Sequence, residues 1–249
     1  MTHHLLAARR GWFLSLLSAV ALAAALATAS VGPDHDASAT EPGHTHDQTA
    51  GHLTSAHAVS TSTPAARTAA QAAFHDQMRK LWEDHVTWTR LAIVTFADGS
   101  GGFDATAARL LANQVDIGDA IKPFYGNAAG DQLTSLLNGH IGIAVDLLQA
   151  AKAGDTTAFE QARIEWYDNS DQIADFLASA NPKYWPQDVM RAAMTAHLDQ
   201  TLAEAAHELN GQYAASVADY DEIHHHILEM ADLLSDGIIR TFPKRFSSR

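Results

Sequence analysis

From residue 66 onward the apolar residues recur at helical spacing, and almost nowhere do they alternate with polar ones in the two-residue rhythm of a strand. Five clusters interrupt the pattern: ADGSGGFD (97–104), KPFYGNAAGD (122–131), AGDT (153–156), ANPKYWPQD (180–188) and NGQ (210–212). They consist largely of Gly, Pro, Asn and Asp, residues that stop and cap helices. Five breaks leave six helices, centred near residues 84, 114, 142, 168, 198 and 226, with Asp104 and Thr156 as expected N-caps. Helices joined by short connections lie antiparallel. The sequence therefore predicts an all-α fold over residues 66–245, an up-and-down helical bundle of about six helices.

The residues before 66 have a different character. MTHHLLAARR ends in two arginines, an uncharged Leu- and Ala-rich run follows, and Ala27-Thr28-Ala29 matches a small-x-small cleavage site. Residues 1–29 read as a secretory signal peptide or as an N-terminal membrane anchor, since residues 11–29 are just long enough to tether the chain to a membrane. Both readings place the rest of the protein outside the cytoplasm. Residues 30–65 are rich in Ser, Thr, Ala, Gly and His and poor in large apolar types, too polar to bury a core, and read as a disordered linker. Its His35, His44, His46, His52 and His57 suit either loose metal chelation or a plain spacer.

Composition narrows the chemistry. The net charge of −13 excludes nucleic acid as a partner and disfavours an anionic membrane surface. The absence of cysteine removes disulfides, thiolate metal sites and cysteine nucleophiles. No glycine-rich phosphate loop follows a strand and no G-x-S-x-G elbow occurs. Histidine, by contrast, is abundant, with 15 residues.

Three of those histidines recur at matching positions. His85 lies in LWEDHVTWTRLAIV, His140 in LLNGHIGIAVDLL and His197 in AMTAHLDQTLAEA, each three positions after an apolar residue: Trp82, Leu137 and Met194. The step from 85 to 140 nearly equals the step from 140 to 197. Asn113, Asn169 and His224 line up similarly on the alternate helices, again at nearly equal steps. The bundle thus reads as three diverged helical hairpins. On helical wheels His85, His140 and His224 fall within apolar stripes, and His197 lies at a stripe edge in line with Thr201, Glu204 and Glu208. Asn113 and Asn169 also face inward, and Asp116 sits at a margin.

A buried imidazole must find a partner. Two readings satisfy that demand. In the first, His85, His140, His197 and His224 bind a transition metal, zinc, copper or iron, with Glu204 and Asp116 as candidate carboxylates. Asn113, Asn169 and Asp221 would then orient the ligands from behind. In the second, the same groups form a buried hydrogen-bond network in a non-catalytic structural or interaction bundle. Two E-x-x-H strings, Glu204-His207 and Glu222-His225, have the spacing of di-iron bundles but lie on consecutive helices, so chance explains them better. A metalloenzyme would need an open coordination position and a substrate pocket, and the sequence displays neither.

The stretches FHDQMRKLWEDHVTWTRLAIV (74–94), NQVDIGDAIKPFYG (113–126), HIGIAVDLLQAAKAGD (140–155) and MADLLSDGI (230–238) resemble a family of helical proteins from Gram-positive bacteria, over residues 74–246. Members carry enzyme names such as glycosyltransferase or acetylglutamate kinase. Those activities need an α/β nucleotide-binding core, which an all-helical chain lacks. The resemblance implies a family pattern of His85, Asn113, Asp116, His140, Asn169, His197, Glu204 and Asp221, with an acidic residue in place of His224 in relatives. The expected function is an extracytoplasmic, histidine-based metal-binding bundle that buffers, senses or delivers its ion, rather than an enzyme.

Overall fold

The computed structural model describes residues 67–247; the signal or anchor segment and the histidine-rich linker lie outside the described residues. Six α-helices follow one another: α1 (Ala69–Ala97), α2 (Phe103–Tyr125), α3 (Asn127–Ala153), α4 (Thr156–Ala180), α5 (Gln187–Leu209) and α6 (Tyr213–Thr241). A 3-10 turn, Pro243–Arg245, follows α6, and the described residues contain no strand. None of these helices is long and apolar enough to cross a membrane.

Local chemistry sets the helix ends. α1 opens with a capping box: Thr68 Oγ1 accepts from the Gln71 backbone N–H at 3.2 Å, and Gln71 Oε1 accepts from the Thr68 N–H at 2.8 Å. α4 is capped by Asp155, whose carboxylate accepts from the Ala158 N–H at 3.0 Å. The expected cap Thr156 is instead the first residue of that helix. Asp104 likewise falls inside the first turn of α2, after Gly102, where its charge meets the positive helix end. The break expected over 122–131 contracts to one residue. α2 runs through Pro123 to Tyr125 and α3 starts at Asn127, because Gly126, at φ 88°, reverses the chain by itself.

Each helix packs on its neighbours in sequence, and α6 returns to pack on α1, so the six form a closed ring. Ile117, Leu133, Ile173, Met190, Leu198, Ile227 and Ile238 fill its axis. At the terminal end Phe74, Phe124, Phe242 and Phe246 pack together with ring centres 5.0–5.5 Å apart. Thr68 Oγ1 donates to Phe246 O at 3.1 Å, so the two ends of the described chain meet there. On the outer surface, Arg79 pairs with both carboxylate oxygens of Asp232 across α1 and α6, and Arg191 does the same with Asp175 across α5 and α4.

Candidate functional site

Midway along the ring, α1, α3 and α5 each turn a histidine inward. His85, His140 and His197 are 3–4% exposed and face one cavity of about 50 Å³, measured as space open to the centres of water molecules. His85 and His197 lie with ring centres 5.8 Å apart, and His140 reaches the cavity from α3 with its ring stacked on Trp166 at 5.1 Å.

At His140 and His85 the Nδ1 atom is held by a side-chain amide. His140 Nδ1–H donates to Asn169 Oδ1 at 2.9 Å, and Asn169 Nδ2 donates to Leu136 O at 3.3 Å, which fixes the amide's orientation. That assigns the proton to Nδ1 and leaves a lone pair on Nε2. At His85 the polarity is opposite: Gln114 Nε2 donates to Nδ1 at 3.1 Å and to Leu110 O at 2.8 Å, so Nε2 carries the proton. Gln114 Oε1 and His197 Nδ1 are sealed from solvent without a partner. Among the described residues none of the three Nε2 atoms makes a hydrogen bond.

Burial keeps all three rings neutral. Desolvation pushes His85 down to about 3, with the nearby His140 acting in the same direction and the Gln114 bond opposing it. His140 is pushed down to about 4 by burial against the opposing bond from Asn169. His197 falls well below the ordinary histidine value, first through burial and then through His85, His140 and His226.

Behind each histidine the neighbouring helix makes the same contact. Asn113 Nδ2 donates to Leu81 O at 3.0 Å, Asn169 Nδ2 to Leu136 O, and His226 Nε2–H to Ala193 O at 2.9 Å. The partners are 32, 33 and 33 residues apart, and each carbonyl belongs to the residue four before an inward histidine. A carbonyl has two lone pairs, so it accepts this bond as well as its own helical one.

The remaining candidates sit elsewhere. His224 lies on the outer side of α6, its Nε2 3.0 Å from Glu83 Oε1; the residue in register with Asn113 and Asn169 is His226, two positions on. Asp116 is half-exposed beside Arg109 at 3.7 Å, and Asp221 is exposed. Glu204 is buried but engaged: Arg90 Nη1 donates to it at 2.5 Å and to Ser216 Oγ at 3.1 Å, and Ser216 Oγ donates to Glu208 at 2.6 Å. Burial raises Glu204 to about 7 despite the Arg90 guanidinium, which pulls it down. Asn113 stands behind His85 through Gln114, whose Nε2 lies 3.4 Å from Asn113 Oδ1.

Gln114, Trp166 and His226 belong to the site and were not singled out from the sequence. Gln114 follows Asn113 and shares its inward face; His226 is found by matching the spacing of 32–33 residues to a carbonyl, not by apolar neighbours. Among the described residues no three His, Asp or Glu side chains are drawn together as a preformed metal site. No family model, curated protein or solved structure matches the chain, so the site alone carries the functional reading.

Proposed function

We propose that the protein binds one divalent transition metal ion, zinc, copper or iron, through Nε2 of His85, His140 and His197, and that it buffers, senses or delivers this ion outside the cytoplasm. The observation that carries the reading is three neutral imidazoles, from three helices, facing one cavity with their Nε2 edges unpaired. Metal binding needs the neutral ring, and a ligand histidine donates its other N–H to a fixed acceptor, a part that Asn169 Oδ1 takes at His140. With nitrogens at about 2 Å from a shared ion, two imidazole centres lie roughly 5–6 Å apart. The 5.8 Å between His85 and His197 suits that span. Three histidines with a fourth position left open is an established zinc arrangement. The in-register bonds from Asn113, Asn169 and His226 support the further proposal that α1–α2, α3–α4 and α5–α6 are three copies of one hairpin, each delivering one histidine.

One observation favours the metal-free network instead. With Gln114 donating to His85 Nδ1, Nε2 of His85 holds a proton and is no ligand until the amide turns over and gives up Leu110 O. Metal analysis of the full chain, purified without an affinity tag, separates the two readings. The linker histidines are common to the wild type and to the H85A/H140A/H197A variant, so only the difference counts. The metal reading expects about one more equivalent in the wild type, and stabilisation of about 2.7 kcal/mol at free ion one hundred times the dissociation constant. Equal metal content and equal thermal shifts for Zn, Cu and Fe overturn it. Gln114→Glu sharpens the contrast. A carboxylate accepting from Nδ1–H strengthens a ligand histidine, whereas in a metal-free core it only destabilises.

A further inference from the structure

The cavity does not end at the histidines. From the imidazole floor its walls run along the second half of α1 (Thr89, Ala92, Ile93), the first turns of α2 (Phe103, Ala107, Leu110), the second half of α3 and α5 from His197 to Ala205. All of these lead toward the end of the ring that carries the α1–α2, α3–α4 and α5–α6 connections. Phe103 and Ala107 are partly exposed, so the chamber's outer wall reaches the surface beside α2, where Phe103 packs edge-on against Phe96 at 5.2 Å.

The chamber wall offers no hydrogen-bond donor above its floor. No charged side chain lines it. Its two threonine hydroxyls are turned back onto their own helices: Thr89 Oγ1 donates to His85 O and Thr201 Oγ1 to His197 O, both at 2.8 Å. The other polar side chains are the imidazoles and the Trp166 indole stacked on His140, all at the floor. A water there has ring nitrogens for partners, but a water in the chamber above has only the spare lone pairs of the two threonines, short of the two to four partners a buried water needs, and apolar cavities without partners stay dry and take up apolar guests. A charge brought into such a space is strongly disfavoured. The volume of about 50 Å³ admits a guest of at least two or three heavy atoms.

We propose that this chamber is a binding site for a small, uncharged, apolar molecule of diatomic size, such as dioxygen, held by Ile93, Leu110, Ile141, Leu148 and Leu202 against the imidazole floor. The chamber does not depend on a metal ion.

Xenon is the probe, read by methyl NMR on the full-length protein, first treated with chelator and then supplied with zinc. Saturable shifts are expected at the methyls of Ile93, Ile141, Leu148 and Leu202 in the chelator-treated protein. Iodide, which is charged, should leave these methyls unmoved. Ala144→Leu and Ala107→Leu fill the chamber from α3 and from α2, and each should reduce the xenon shifts at least tenfold while the far-ultraviolet spectrum stays helical. Shifts that grow linearly with pressure, that spread over surface methyls, or that iodide reproduces overturn the proposal on the wild-type protein alone. Xenon binding with no binding of zinc, copper or iron in the metal analysis leaves the chamber standing and removes the metal reading; metal binding without xenon binding does the reverse.

Discussion

At the scale of single residues, most polar groups around the site are buried in pairs that answer each other, while Gln114 Oε1, Trp166 Nε1 and His197 Nδ1 are left without a partner there. Asn169 satisfies both His140 Nδ1–H and Leu136 O. Asn169→Ala strips a partner from a fully buried imidazole and is expected to lower stability by about 1–3 kcal/mol, measured by urea unfolding at neutral pH. The histidines also tie stability to pH. Their folded values lie below the ordinary 6.5, so below that pH the unfolded chain binds more protons. Stability is therefore present in full above about pH 6.5 and falls on acidification toward pH 4, by up to roughly 1.4 kcal/mol per pH unit for each ring. Glu204 acts oppositely. Its folded value is raised from 4.5 to about 7, so its contribution is intact below 4.5 and fades as pH rises through that window. Three rings outweigh one carboxyl, and the net slope between pH 4.5 and 6.5 is expected to be positive. Urea unfolding across pH 4.5–7.5 checks this, and H85L/H140L/H197L should flatten or reverse the slope.

At the scale of elements, most helices were legible because apolar residues repeat at the helical period and Gly, Pro, Asn and Asp fall where they stop. α5 was the least legible, since its buried face carries His197, Thr201, Glu204 and Glu208 beside Met190, Met194 and Leu198. Its polar face is inward because Arg90 and Ser216, from α1 and α6, answer its carboxylates, and no pattern within α5 reveals that. α2 and α3 approach so closely that a Cβ on Gly118 would fall 2.0 Å from Thr134 Oγ1 and 2.6 Å from Gly130 O. Gly118→Ala is expected to cost about 1–3 kcal/mol, readable as a lower unfolding midpoint with unchanged helix content. The backbone carbonyl of Gly130 cannot move aside as a side chain could.

At the scale of the whole molecule, closure of the ring brings Thr68 against Phe246 and α1 against α6. A circular permutant that joins residues 67 and 247 by a short flexible linker and opens the chain at Gly154 is therefore expected to fold. Its thermal midpoint should stay within a few degrees of the parent, by calorimetry. Opening the chain inside α3 instead should abolish cooperative unfolding, because that helix carries His140 and one wall of the cavity.

The amino-acid sequence by itself determined six helices and their antiparallel order, because periodicity and breaker residues act within one helix; of the four histidines it turned inward, His85, His140 and His197 are buried, and His224 is not. Only the tertiary structure decided which polar groups meet. His226 rather than His224 answers the α5 backbone, Gln114, which the sequence did not single out, sets the His85 proton, and Glu204 is claimed by Arg90. Such pairings depend on how neighbouring helices are rotated and offset against each other to within a fraction of a turn. That offset is settled by the packing of the entire ring.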